Sequence, residues 1–528
     1  MSGGGGHRTG EHILAIDMGT GTVKAALVAA DGRIAGTGAR SIETRQLPGG
    51  GAEQDPEQWW AAVTAAGREA VERSGLAAER VVAVRCTTQW AVTVPVDGDG
   101  RALAPAISWM DTRGGPYVRE LVGGPVSVSG YGLRRLRRWV RLTGAAPVRS
   151  GVDGLGHVLY LKNERPEVYE ATRAFLEPMD YLNLRLTGRA AASYGTIYPY
   201  WLTDNRDVGR VRYDDVLVRW SGIDRAKLPE LLPLDAVVGT LTPAAAGALG
   251  LARSTQVLTG LSDAQAATIG AGIAAPGSGY FSVGSTSWLS CIVGAQKTDL
   301  MHLIATMPAG LPGRHMVVAE QGAAGRCLEF LRDNVLGIGA GEGDGGAVFE
   351  RFEREAADVP AGSDGLIFTP WLGGVVAPAQ DTFTRSAFFN QSLATTGAHY
   401  VRAVMEGVAL NLRWLKPHVE RFARCRFGEL AFIGGGALSP TWSQIFADVL
   451  GCEIRAVAEP RYANAAGVAL AGFAALGTIT ADEIPAAVRT AATYTPDPAA
   501  ARVYERRFDE FMRLYKRNRR VYRRLNRD

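Results

Sequence analysis

The stretch ILAIDMGTGTVKAALV, residues 13–28, sets an aspartate and then Gly-Thr-Gly-Thr between two short apolar runs. With its continuation it reads as strand, turn, strand: ILAID, MGTGT, VKAALVAA, then the turn Asp31-Gly32 and the run RIAGTGAR. Short apolar or β-branched runs broken by Gly and Asp-Gly are hairpin signals, so three in succession predict an antiparallel meander. Successive backbone N–H groups in such a turn can form an anion-binding concavity. Asp and Gly are also ordinary turn formers, so one turn of this kind equally suits a plain loop.

Working outward, AEQDPEQWW (residues 52–60) predicts a helix with Asp55 as cap, Pro56 at its first position and Trp59, Trp60, Val63 and Ala66 along it. A buried run, VVAVRCTTQWAVTVPV, ends at the turn DGDG. The opening grammar returns at 278–293 as SGYFSVGSTSWLSCIV, which suggests a second domain built like the first. The segment before it passes from a helical end through a strand at Gln256–Thr259 and a turn into an Ala-rich helix, and the boundary is set at about residue 252. The expected division is a tail over 1–12, an N-terminal domain over 13–252 and a C-terminal domain over 253–528. A third glycine turn, AFIGGGALSP at 431–440, follows a strand and precedes a helix, ANAAGVALAGFAALG reads as a close-packed helix of small residues, and the chain ends in a basic helix.

The 528 residues suggest about two to four domains, and 47% hydrophobic residues suffice for large cores. The 57 basic and 53 acidic residues leave +4, too balanced to predict a nucleic-acid or membrane partner for the whole chain. Cys86, Cys291, Cys327, Cys425 and Cys452 are scattered and odd in number, without a C-x-x-C pair, which argues against a disulfide framework or a zinc site. They read as thiols in a reducing cytosol. No apolar stretch is long enough to span a bilayer and the start lacks a signal-peptide core, so a cytoplasmic location is expected.

Three familiar phosphate loops are absent or misplaced. There is no G-x-x-x-x-G-K-[ST]. The dinucleotide fingerprint fails at the opening turn, where Lys24 takes the third glycine's place, and GAGIAA at 270–275 follows a helix rather than a strand. The protein-kinase H-R-D and D-F-G set is missing. The chemistry that suits the remaining turn is ATP with magnesium: Asp17 can hold a hydrated Mg²⁺, while Thr20, Thr22 and the turn amides approach the β- and γ-phosphates.

The pieces IDMGTGTVK, AEQDPEQWW, SWMDTR, GLSDAQAATIGAG, SVGSTS and FIGGGALS, in that order and followed by W-x-x-x-x-A-D, resemble the FGGY carbohydrate kinases of the actin-like ATPase superfamily. The resemblance runs from Ile13 to about Gly477, and AEQDPEQWW is similar to the xylulose kinases in particular. It implies an α/β fold of two actin-like (ribonuclease H-like) domains, each a mixed five-stranded sheet with helices, around a central cleft. It places Gly19, Thr20, Gly21, Thr22 and Lys24 at a first phosphate loop and Gly284, Ser285 and Thr286 at a second. Gly434, Gly435 and Gly436 fall at an adenosine loop, with Asn464 and Gly467 near the nucleotide. Asp263 falls on the catalytic base, and Gln89, Trp90 and Asp111 on the acceptor site. Phosphoryl transfer to a sugar needs one carboxylate to orient the accepting hydroxyl and take its proton, a role that suits Asp263. The same residue suits the N-cap of the helix that follows it. Alone, Gln89 reads equally as a polar strand-end residue and Asp111 as a turn former.

The sequence also departs from the family pattern. Trp90, Ala91 and Val92 replace a Met-His-Gly-like trio, Val375 and Val376 replace a charged pair, His157 to Tyr160 replaces Lys-x-x-Trp, and Asn390 replaces a glycine. These changes concern the acceptor side and leave the nucleotide loops largely intact.

Two arginine-rich segments, LRRLRRWVRL at 133–142 and the C-terminal helix, invite a nucleic-acid reading. At helical spacing Leu133, Leu136 and Val140 share one stripe, and Phe508, Phe511, Met512 and Tyr515 another, which leaves the arginines a solvated face. His157 and His399 lack metal-ligand spacing and read as structural or surface residues. The expected function is an ATP- and Mg²⁺-dependent kinase for a ketopentose such as xylulose, or a related sugar or polyol, with no nucleic-acid or membrane partner. A ribulose, gluconate or polyol kinase, or a sugar- or nucleotide-sensing protein that has lost catalysis, stays open as an alternative. Relatives often self-associate, which leaves a homodimer open, but no stretch predicts an interface.

Overall fold

The structure is a computed structural model that describes residues 10–338 and 345–527. Residues 1–9 of the expected tail lie outside the described residues, and the first strand begins at His12. The opening meander forms as predicted, from β1 (His12–Met18), β2 (Thr22–Ala29) and β3 (Ile34–Ser41). Helix α1 (Pro56–Ser74) follows, with the Asp55 side chain accepting from the Glu57 N–H and Pro56 at the first position. The buried run supplies β4 (Val81–Thr88), parallel to β1.

Sheet membership moves the predicted domain division. Strands β5 (Gln256–Leu258) and β6 (Leu261–Ser262) both pair parallel with β4, so the first sheet extends past residue 252 and ends at helix α2 (Asp263–Gly270). The second sheet starts with β7 (Gly279–Val283), β8 (Thr286–Val293) and β9 (His315–Ala323). It is completed after the long helix α3 (Gly397–Ala423) by β10 (Glu429–Ile433) and, beyond helix α4 (Pro440–Leu450), by β11 (Glu453–Val457).

The strand orders β3-β2-β1-β4-β5 and β9-β8-β7-β10-β11 match in sequence and direction, three strands antiparallel and the rest parallel. The repeated turn therefore marks a repeated architecture. Each mixed five-stranded core also carries additions: Val237–Thr240 and β6 bring the first sheet to seven strands, while Thr298–Asp299, Ile304–Pro308 and Thr490–Tyr494 bring the second to eight.

The two lobes share a core. Helix α5 (Ala463–Ala475), from the C-terminal half, packs on β1, β2 and β4 and lies against α2. The approach is close enough to require glycine: a Cβ on Gly270 would sit 1.9 Å from the Ala463 carbonyl oxygen, and one on Gly467 would sit 2.0 Å from that of Ala266. Gly467 is therefore first a helix-packing residue. Apolar side chains from both sheets, including Ile13, Ala15, Tyr280 and Ile433, meet around this helix pair in one cluster.

The basic segments are tied into the fold. In the helix Leu133–Thr143 the buried residues are Trp139, Leu142 and Thr143, whereas Leu133 is 46% exposed, so the expected stripe through Leu133 is corrected. Trp139 decides the face because its indole donates to the Trp201 carbonyl oxygen at 2.9 Å, and Arg138 pairs with Asp214 at 2.8 Å. The terminal helix α6 (Pro498–Leu525) buries Tyr504, Phe511 and Tyr515, and its rings pack against Trp371 and Trp414. Among the described residues no helix is long and apolar enough to cross a membrane.

Candidate functional site

Strand registers bring the predicted site together. Asp17 of β1 lies beside Thr87 of β4, which lies beside Leu261 of β6; one row on, Met18, Thr88 and Ser262 are aligned. The next residues are Gly19, Gln89 and Asp263, at the carboxyl ends of three neighbouring parallel strands. Ligands of open α/β sheets are received at such strand ends. Asp17 alternates with Leu14, Ile16 and Met18 and so shares the face of Ile13 and Ala15, toward α5 and α2.

The glycine turns differ in what they leave open. The Gly19 N–H donates to the Thr22 carbonyl oxygen and the Gly284 N–H to that of Thr286, each at 2.9 Å. A Cβ on Gly21, Gly284 or Gly435 would meet nothing within 4 Å, so a ligand can approach the backbone there. Gly434 and Gly436 answer to the fold instead: Gly434 has φ +88° with its Cβ position 2.6 Å from the Val283 carbonyl oxygen, and a Cβ on Gly436 would sit 2.9 Å from that of Val283. Thr20, Thr22 and Thr286 are half-buried and Ser285 is exposed, as the turns require for ligand access.

Asp263 is not the helix cap. Ser262 caps α2, accepting from the Gln265 N–H, and the Gln265 side chain accepts from the Ser262 N–H at 2.9 Å in return. Asp263 becomes the first helical residue, and its carboxylate accepts a local bond from the Ala264 N–H at 2.7 Å. Desolvation, reinforced by the negative charges of Asp17 and Glu320, pushes its pKa up to about 7. A carboxyl in this range serves as a general base near neutral pH. Glu320 was not foreseen from the sequence. It stands on β9 opposite Trp288, exposed at its surface, with the protein around it raising its carboxyl above the usual range by partial desolvation. Because Asp263 feels Asp17 of the first sheet and Glu320 of the second, its carboxyl stands where the two lobes face each other.

Lys24 pairs with Asp17 at 3.2 Å and donates to the Arg461 carbonyl oxygen at 3.0 Å. It ties β2 to the approach of α5, where Asn464 lies half-buried. Asp17 is buried, and among the described residues no group of three or more His, Cys, Asp or Glu is placed to hold a metal ion directly. One carboxylate fits Mg²⁺ that keeps its waters and binds phosphate oxygens, and does not suit an all-protein cage. The second turn has a support the sequence did not reveal: the N–H groups of Ala324 and Gly325 donate to the Ser285 and Gly284 carbonyl oxygens at 3.0 and 2.8 Å.

On the acceptor side the residues divide. Gln89 is buried, with its Nε2 donating to Gln54 and its Oε1 lacking a partner among the described residues. Trp90 is half-buried, donates to the Thr196 carbonyl oxygen at 3.3 Å, and stacks on Tyr198 with ring centroids 5.6 Å apart. Asp111 corrects the expectation that it faces a ligand. It is fully buried, accepting from the Ala52 N–H at 3.0 Å, from the Arg113 N–H at 2.9 Å and from the Arg113 guanidinium. Arg113 also pairs with Glu53 at 2.7 Å, donates to the Tyr160 hydroxyl at 2.9 Å and lies 4.3 Å from that ring's centroid. Asp111 thus anchors a wall behind the site.

The departures from the family pattern acquire physical readings. Tyr160 serves Arg113. His157 is buried beside Thr93 at 3.2 Å, with burial pushing its pKa down to about 4, and His399 bonds the Thr396 hydroxyl at 2.8 Å, so both are structural. Asn390 keeps φ at +67°, a left-handed conformation that Asn tolerates better than most residues other than glycine. Val375 is buried in the second lobe's core and Val376 is 38% exposed, so no charge stands there.

A cavity of about 1380 Å³ opens elsewhere on the first lobe, between the start of α1 and the loop 97–105. It is lined by Asp55, Glu57, Asp97, Arg101, Arg173 and Arg185 among others and contains none of the predicted site residues.

Comparison with known proteins agrees with this geometry. Residues 12–270 match the N-terminal domain of the FGGY family of carbohydrate kinases and residues 279–476 its C-terminal domain. The chain is 25% identical over 508 residues to the xylulose kinase of Bacillus subtilis (strain 168), covering 96% of this chain and 97% of that protein. The structure of xylulose kinase from Rhodospirillum rubrum is similar at a TM-score of 0.79 and 27% identity, over 97% of this chain and 100% of that one. Gluconate kinase from Lactobacillus acidophilus shares the fold at a TM-score of 0.82 and 21% identity, over 98% of this chain and 100% of that one. The chain therefore belongs to the FGGY family of carbohydrate kinases: it is a sugar kinase, a phosphotransferase with an α/β fold of two actin-like domains.

Proposed function

We propose that the protein transfers the γ-phosphoryl group of ATP to a hydroxyl of a ketopentose such as xylulose, or of a closely related sugar or polyol, with Asp263 as general base. The observation that carries this reading is Asp263 itself: released from capping by Ser262, level with Gly19 and Gln89, and shifted to about pH 7. Its carboxylate would orient the accepting hydroxyl and take its proton as the P–O bond forms. Amides of the exposed turns at Gly21 and Ser285 would receive phosphate oxygens, with donors fixed before charge develops. Magnesium, held through water by Asp17, would neutralise phosphate charge. Trp90 and Tyr198 offer an aromatic wall to the carbon skeleton, and Gln89 a polar contact to a hydroxyl.

The test is a screen of D-xylulose, D-ribulose, D-gluconate and glycerol, following ADP and phosphorylated product separately. Turnover of D-xylulose or D-ribulose above the others supports the ketopentose reading. ATP binding without turnover of any acceptor replaces it with a sensor, the reading that the uncharged Val375 and Val376 would favour.

A pH profile follows from the base. Its proton must be off for catalysis, so kcat/KM for the acceptor should rise through pH 7 and fall about tenfold per unit below it. A limb near pH 4 would mean that neither desolvation nor the neighbouring charges act on the base.

A further inference from the structure

One buried amide joins the phosphate turn to the acceptor side. Gln54, 1% exposed, ends the short strand Gly51–Gln54 immediately before the cap of α1. Its Nε2 donates to the Thr20 carbonyl oxygen at 2.8 Å and to the Thr44 hydroxyl at 2.6 Å, and its Oε1 accepts from Gln89 Nε2. The chemistry of the partners fixes every orientation. A backbone carbonyl can only accept, so Gln54 must turn its NH₂ toward Thr20; its oxygen then faces Gln89, which must answer with its own NH₂. Gln89 is left with Oε1 as its uncommitted end, buried and without a partner among the described residues. The Gln89 N–H is itself held at 2.7 Å by the Met18 carbonyl oxygen, so the residue is anchored to the strand that leads into the phosphate turn. On the other side of that turn, the Trp109 indole donates to the Thr20 hydroxyl at 3.0 Å.

We infer that Gln54 is a positioning residue that couples the phosphate turn to the acceptor site and sets the polarity of Gln89, so that Gln89 offers a carbonyl oxygen to a hydrogen-bond-donating hydroxyl of the acceptor. The inference rests on the reading of Gln89 as an acceptor-site residue. A sugar or polyol O–H satisfies Gln89 Oε1, whereas an acceptor with only a carbonyl or ether oxygen at that point leaves two acceptors opposed. The relay also makes the position of Thr20 depend on the same amide that orients Gln89. Loosening it should both weaken acceptor binding and let water take the phosphoryl group.

The test uses the full-length protein, ATP with Mg²⁺, and whichever of D-xylulose, D-ribulose, D-gluconate or glycerol the wild type turns over. In Gln54→Leu the Thr20 carbonyl and the Gln89 amide lose their partner; in the near-isosteric Gln54→Glu a carboxylate oxygen opposes the Thr20 carbonyl. Each variant should lower kcat/KM for the acceptor about 10- to 100-fold through both a higher KM and a lower kcat, and should release more ADP than phosphorylated product. A lower melting temperature with wild-type KM, kcat and product-to-ADP ratio would show a structural role only and overturn the inference. Should neither variant melt cooperatively, the wild type decides: the non-hydrolysable analogue AMP-PNP should tighten acceptor binding several-fold, and equal acceptor affinity with and without it would overturn the coupling. Asp263→Asn in the same assay separates the two readings. If that variant is active, the site reading has failed; if it is inactive while Gln54→Leu and Gln54→Glu behave as wild type, only the relay has.

Discussion

Asp263→Asn should lose about 10²- to 10⁴-fold in acceptor-dependent kcat while binding ATP as the wild type does, because the change removes a proton acceptor and leaves the turns in place. The helix should survive, since Ser262 and Gln265 hold the cap without help from residue 263. A second readout separates lost chemistry from lost structure. The folded-state pKa of Asp263 lies above that of a free carboxylate, so its contribution to stability is fully present below the unfolded value and is lost as pH rises through about 7. Asparagine carries no charge to bury, so the variant should melt higher than the wild type above pH 7 and show no gain near pH 4. Undiminished turnover would remove Asp263 from the mechanism, and a lower melting temperature at pH 8 would remove the account of its burial.

Arg113→Ala should destabilise the protein by about 3–5 kcal/mol, the usual cost of taking one partner from a buried ion network. Asp111 is fully buried and Glu53 is close beside it; without the guanidinium the two carboxylates face each other with only the Ala52 and residue-113 N–H groups on Asp111. Tyr160 loses its bond and the cation above its ring. Acceptor KM should rise as well, because the strand 51–54 carries Gln54 next to Glu53. Denaturant unfolding measures the first effect and steady-state kinetics the second. A variant within about 0.5 kcal/mol of wild type would mean that the pair is solvated like a surface bridge.

Much of the site was legible because its signals are local. Gly19 to Thr22 and Gly284 to Thr286 join consecutive antiparallel strands, where a short turn fixes register without distant partners. The cap at Asp55, the aromatic face of α6 and the glycine turn at Gly434 follow from periodicity and turn chemistry in the same way. The resemblance to a kinase family was carried by these same short pieces in order.

Other features needed the folded chain. Leu261 pairs with Thr87 although 174 residues separate them, and parallel pairing leaves no local mark, so the domain division was set too early. Nothing in the string SDAQ says which of two good caps is used; the reciprocal Gln265 bond chooses Ser262 and so frees Asp263. Glu320, Gln54 and the support at Gly325 act through strands and amides far from them in sequence, and Asp111 is hidden by Arg113 and Ala52 rather than offered to a ligand. The sequence by itself determined the turns, the repeated sheet openings and the family, since those reside in neighbouring residues. The tertiary structure decided which carboxylates stay open, which are spent on the scaffold and which are raised toward neutrality, since desolvation and partner geometry exist only once distant strands meet.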